Sequence, residues 1–115
     1  MATRQNRTLL ALAGLSGAFA VAAGAFAAHG ASGPAAKWLQ TGSHYQLIHA
    51  VAGLVALGLP RGRFAATLFV IGGAIFAGTL YAMAFGAPVW LGAVTPIGGT
   101  ALIAGWIILA LAALR

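Results

Sequence analysis

The chain has 115 residues, six Lys or Arg, no Asp or Glu, and a formal charge of +6. Hydrophobic residues make up 62% and charged residues 5%, against roughly 45–50% and roughly 25% in an average soluble domain. These figures exclude a water-exposed globular fold, which needs more polar surface, and a disordered chain, which would be polar.

A bilayer is the solvent that fits. A spanning helix takes about 20 apolar residues, so the length allows four spans with short connections. The expected fold is one all-α membrane domain over the whole chain, a four-helix transmembrane bundle. The absence of cysteine removes disulfides, thiol chemistry and Cys-held metals. The absence of carboxylates removes an acidic general acid or base and a carboxylate metal site. The positive charges are scattered, so membrane lipids are expected as partners and nucleic acid is not.

The first predicted span runs from Leu9 to Ala28, after Arg4 and Arg7. A signal peptide is the alternative, with Ala25-Phe26-Ala27 as its cleavage site. The apolar run of about 20 residues exceeds the roughly 7–15 of a signal h-region, so a retained helix is expected. His29 to Gly33 break the run, and Pro34 suits the first turn of a second helix. Tyr45 to Leu59 alone is too short to cross. Extension back to Ala35 gives a sufficient length, with Lys37 snorkelling and Trp38 in the interfacial belt. Trp38, Gly42, Tyr45 and His49 then share one helix face. Pro60-Arg61-Gly62-Arg63 is a charged turn, and Phe64 to Gly86 is the third span. Ala87 to Trp90 turns again, and the fourth span runs from Leu91 to Leu114, ahead of Arg115. Pro96 lies inside it. Either the helix proper starts near Pro96 or Pro96 kinks it.

Arg4, Arg7, Arg61, Arg63 and Arg115 fall on one side of this topology and only Lys37 on the other. By the positive-inside rule both termini are expected to be cytoplasmic, or in the matrix for a mitochondrial membrane. Small residues recur at helical spacing: Ala20, Gly24 and Ala28; Ala74, Gly78, Ala82 and Gly86; Ala101 and Gly105. Packing within the bundle and packing in an oligomer are both open readings.

The topology also predicts that polar groups gather in the non-cytoplasmic half. His29, His44, Tyr45, Gln46 and His49, Thr79 and Tyr81, and Thr95 are all placed there. Intramembrane polar groups face the bundle interior and are functional candidates, so His29, Tyr45, His49, Tyr81 and Thr95 form a candidate binding cluster. The alternative is a set of cross-helix ties. His44 and His49, five apart, sit about 140° apart on a helix, which is poor for one metal ion; neither a metal nor another cofactor is expected. No carboxylate orients an imidazole and no G-x-S-x-G elbow occurs, so no enzymatic activity is expected.

Four segments resemble one family. They are Gly24-Ala25-Phe26-Ala27-Ala28-His29-Gly30; Trp38 with Tyr45 and His49; Phe76-Ala77-Gly78-Thr79-Leu80-Tyr81; and Thr95-Pro96-Ile97-Gly98-Gly99 followed by Gly105-Trp106. The chain is similar to the domain of unknown function 423 family, the YgdD-like small inner-membrane proteins and their mitochondrial relatives. Two departures are visible, Ala27 where the family often has Gly and Thr79 where it often has Ser. The resemblance implies a multi-pass protein of the bacterial inner membrane and no settled activity. Carried over, it points to His29, Tyr45, His49, Gly78, Tyr81, Thr95, Pro96, Gly98, Gly99 and Trp106. Gly24, Gly78, Gly98, Gly99 and Gly105 are the expected packing glycines. The leading expectation is a structural or accessory bundle that self-assembles or joins a larger membrane complex. The alternative is an oligomeric transporter or channel for a small neutral or anionic solute. A lipid, quinone or haem site is a weaker third.

Overall fold

A computed structural model describes residues 3–114. Four helices form: α1, Arg4–His29; α2, Gly33–Ala56; α3, Gly62–Ala84; and α4, Thr95–Ala113. Arg115, expected to end the chain on the Arg-bearing side, lies outside the described residues. By length and composition α1, α3 and the segment Val89–Ala113 are apolar enough to cross a membrane. α2 is long enough, with 24 residues, but less apolar because it carries Lys37, Gln40, Thr41, Ser43, His44, Gln46 and His49. It runs antiparallel to α1 and α3 and packs along both, so it shares their depth.

Each helix end has a local cause. Thr3 caps α1, its hydroxyl accepting from the Asn6 N–H at 3.1 Å. Gly33 and Pro34 open α2, with Gly33 at φ +61° and the ring of Pro34 pre-set for a first turn. α2 ends at Ala56 rather than Leu59, because the chain reverses at once. Arg61 takes the left-handed conformation, and Gly62 is so close to Ala56 that a Cβ there would sit 1.4 Å from the Ala56 carbonyl oxygen. α3 closes in a Schellman motif. Gly86 takes φ +104°, the Ala87 N–H donates to Ala82 O at 2.9 Å, and the Gly86 N–H donates to Met83 O at 3.1 Å.

In the fourth span the helix proper starts near Pro96, the first of the two alternatives, and no kink is needed. Val89–Ala93 is a 3-10 turn and the α-helix starts at Thr95. Pro96 therefore occupies the first turn, where its missing N–H costs nothing.

The order of packing is a strip. α3 lies between α2 and α4, α1 lies on α2 and reaches α3 less extensively, and α4 rests mainly on α3 and the 3-10 turn. The described residues span 46 × 26 × 19 Å. The long dimension matches the roughly 40–45 Å of a bilayer with its head groups. Leu9, Ala56, Ala65, Ala66, Phe69 and Leu102 form the core cluster. Small residues set the interhelical distances. Gly72 on α3 and Gly98 on α4 meet backbone to backbone, so a Cβ on Gly98 would lie 2.4 Å from the Phe76 nitrogen and 2.7 Å from the Gly72 oxygen.

Candidate functional site

His49 is the most enclosed of the histidines, 6% exposed. Tyr45 and His49 are four apart on α2 and so stack on one face toward α3, with ring centroids 6.3 Å apart. The His49 Nδ1 lies 2.7 Å from the Tyr45 carbonyl oxygen. A carbonyl only accepts, so Nδ1 carries the hydrogen. Nε2 is then the acceptor, and it receives the Trp106 indole N–H at 3.0 Å. One tautomer satisfies both partners, and both ring nitrogens are occupied. Phe69 packs 5.4 Å from His49 and 4.8 Å from Trp106, centroid to centroid. Its ring fits because position 105 is glycine; a Cβ there would be 2.5 Å from it. This group bridges α2 and α4 over α3.

A second chain of bonds crosses α1, α2 and α3. The Tyr81 hydroxyl donates to Gln46 Oε1 at 2.7 Å, and Gln46 Nε2 donates to Ser16 Oγ at 3.1 Å. The Ser43 hydroxyl donates to the Ala20 carbonyl at 2.7 Å. Gly24 makes room for that hydroxyl, since a Cβ would come within 2.7 Å of it. A third tie joins α3 to α4. The Thr79 and Thr95 hydroxyl oxygens are 2.6 Å apart, and Thr79 also lies 3.0 Å from the Phe76 carbonyl oxygen. If Thr79 donates to that carbonyl, Thr95 donates to Thr79. Among the described residues, no buried side-chain nitrogen or oxygen lacks a hydrogen-bond partner.

The predicted cluster therefore divides. His49, Tyr81 and Thr95 belong to three separate helix contacts. Tyr45 is 44% exposed, with its ring on Phe76; these two line a groove of about 400 Å³ with His49 and Trp106. His29, at the end of α1, and His44 are exposed. The expected gathering of all three histidines in one half does not occur, because His49 is the seventeenth of the 24 residues of α2 and lies past its midpoint, toward the arginines. Helical phase explains the rest of the dispersal. Thr79 and Tyr81 are two apart on α3 and point about 160° apart, one to α4 and the other to α2. No three His, Cys, Asp or Glu side chains come together among the described residues.

The glycines also divide. Gly24, Gly98 and Gly105 lie in close contact with neighbours, and Gly99 lies near the Phe76 ring. Gly78 does not pack within the chain, because a Cβ there would meet nothing within 4 Å. Ser16 and Phe69 were not singled out by the sequence pattern. Gln46 carried a readable signal, since an amide inside a span needs partners, but nothing local pointed to Ser16 or Tyr81.

Residues 23–99 match the family described as Protein of unknown function (DUF423). The chain is 46% identical over 110 aligned positions to a UPF0382 membrane protein of Haemophilus influenzae, covering 88% of this chain and 89% of that one. It is 35% identical over 119 positions to a UPF0382 membrane protein of Staphylococcus epidermidis, covering 95% and 97%. It is 33% identical over 121 positions to the UPF0382 inner membrane protein YgdD of Escherichia coli K12, covering 96% and 92%. No solved structure matches the chain.

Proposed function

This chain belongs to the DUF423 family of membrane proteins, and we propose that it is a non-catalytic accessory element of the bacterial inner membrane that assembles with copies of itself or with a larger membrane complex. One observation carries the reading. The buried polar side chains of the described residues are all engaged in hydrogen bonds, and Ser16, Ser43, Gln46, His49, Thr79, Tyr81, Thr95 and Trp106 bond from helix to helix. A transport or catalytic site needs groups free to engage a solute. Here His49, the best candidate, has both nitrogens occupied. The outward surface of α3 around Ala74 and Gly78 is left open, and close helix approach through small residues is how helices associate in lipid. The transporter reading has less support, because only Tyr45 and His49 of its five residues share a groove, while His29, Tyr81 and Thr95 sit elsewhere in the fold.

The orientation belongs to the same proposal. Arg4, Arg7, Arg61 and Arg63 lie at one end of the bundle, and Lys37 is at the start of α2 at the other. Both termini then face the cytoplasm. The test is extraction into native lipid particles without detergent, followed by crosslinking and mass measurement. Oligomers or a reproducible larger complex are expected. Monomers alone, with no crosslinked partner, would overturn the reading.

A further inference from the structure

The described residues carry four arginines at one end, and the chain has not one acidic side chain to pair with them. Arg4 and Arg7 lie in the first turns of α1, Arg61 in the turn before α3, and Arg63 at the start of α3; all four are exposed. α1 and α3 run parallel, so both present their N-terminal ends here, where the helix dipole is positive. Neither has an acidic residue in its first turn. The local field therefore asks for an anion that no side chain of the described residues supplies.

The structure also provides a shaped place for one. A groove of about 410 Å³ opens between α1 and α3. Its rim holds Arg4 and Gln5 from α1 and Arg63 from α3, and its walls include Leu9 and Phe64. Arg63 Nη1 donates to Gln5 Oε1, and the guanidinium carbon stands 5.4 Å from the Phe64 ring centroid. Arg63 is thus tied from α3 to α1 across the groove. A guanidinium has five N–H donors, so the bond to Gln5 leaves a fork for a planar or tetrahedral oxyanion. The groove lies at the end of the spans, where lipid phosphates sit, and its lining mixes the polar Arg4, Gln5, Thr8, Arg63 and Thr67 with the apolar Leu9 and Phe64.

We propose that this groove binds one anionic phospholipid molecule, with its phosphate between Arg4 and Arg63 and an acyl chain along Leu9 and Phe64. The apolar walls favour a lipid over free phosphate. Arg4 and Arg63 bring two positive charges to one phosphate, which favours an anionic head group over a choline, whose ammonium they would repel. The proposal needs only that the chain is a membrane protein; it stands whether or not the chain assembles with partners.

The experiment is native mass spectrometry of the full chain released from micelles titrated with phosphatidylglycerol or phosphatidylcholine. Wild type should retain one phosphatidylglycerol in preference to phosphatidylcholine. Arg63→Gln and Arg4→Gln should weaken that retention about tenfold each, the loss of one charge-assisted contact. Arg7→Gln, outside the groove, should leave it nearly unchanged. Arg63→Lys, which keeps the charge without the fork, should fall between wild type and Arg63→Gln and serves if the glutamine variant does not fold. Equal retention of the two lipids would overturn the proposal. Equal loss in Arg7→Gln and Arg63→Gln would also overturn it, since that reports a diffuse charge. A third arm adds inorganic phosphate. Displacement of the lipid by millimolar phosphate would assign the site to free phosphate instead.

Discussion

Gly98 and Gly78 are the same residue type, both in membrane helices, yet they should respond oppositely to one added methyl group. In Gly98→Ala the new Cβ would be 2.4 Å from the Phe76 nitrogen, 2.7 Å from the Gly72 oxygen and 2.9 Å from the Phe76 Cα. All three are backbone atoms, so no rotamer change relieves the contact. Ordinary carbon contacts lie at about 3.5–4.0 Å, so α4 must move off α3 by about 1 Å. The Thr79–Thr95 bond, now 2.6 Å, sits about one turn from the clash and would lengthen past useful range. Overpacking of this kind costs about 1–3 kcal/mol, and one interhelical bond adds about 0.6 kcal/mol. The better helix propensity of alanine returns about 0.5–1 kcal/mol. The net expectation is a loss of about 1–3 kcal/mol. In Gly78→Ala the Cβ meets nothing within 4 Å, so only the propensity gain remains, about 0.5–1 kcal/mol. The assay is reversible unfolding in mixed micelles at a dilution where the chain is monomeric, followed by circular dichroism against the mole fraction of denaturing detergent. An unshifted midpoint for Gly98→Ala would refute the close-approach argument. An equal loss for Gly78→Ala would show that α3 makes a contact there that this fold lacks.

Three further outcomes are expected. A double-mutant cycle of His49→Leu with Trp106→Phe should give a coupling of about 0.6 kcal/mol and no more than about 1.7 kcal/mol; zero coupling in unfolding midpoints would mean the indole does not donate to Nε2. Tyr81→Phe removes the donor to Gln46 Oε1 and should lower stability by about 0.5–1.5 kcal/mol. Adding Gln46→Leu to Tyr81→Phe should recover part of that loss, because the amide no longer needs a partner; a further fall in midpoint would contradict this. Gly62→Ala places a Cβ 1.4 Å from the Ala56 oxygen, whereas Gly58→Ala has its nearest neighbour at 3.8 Å. Membrane yield of folded protein should collapse in the first and hold in the second, and comparable yields would refute the tight-turn geometry.

The sequence by itself determined the solvent, the class and most of the helix limits. These are local properties: an unbroken apolar run of about 20 residues must satisfy its own backbone as a helix in lipid, and Pro34 and Pro96 tolerate only a first turn. α3 accordingly starts and stops two residues from the limits of its predicted span, whereas α1 starts five residues before its span, α2 stops three residues early and the α4 helix starts four residues late. The candidate site was legible only as a set of residue types. Which groups pair depends on helical phase and on which helix lies alongside. Thr79 reaches Thr95 on α4 while Tyr81, two residues on, reaches Gln46 on α2. Nothing local distinguishes Gly98, pressed against the backbone of α3, from Gly78, which faces outward. Composition and spacing state that a glycine permits close approach; only the packed arrangement decides whether another helix is there to use it.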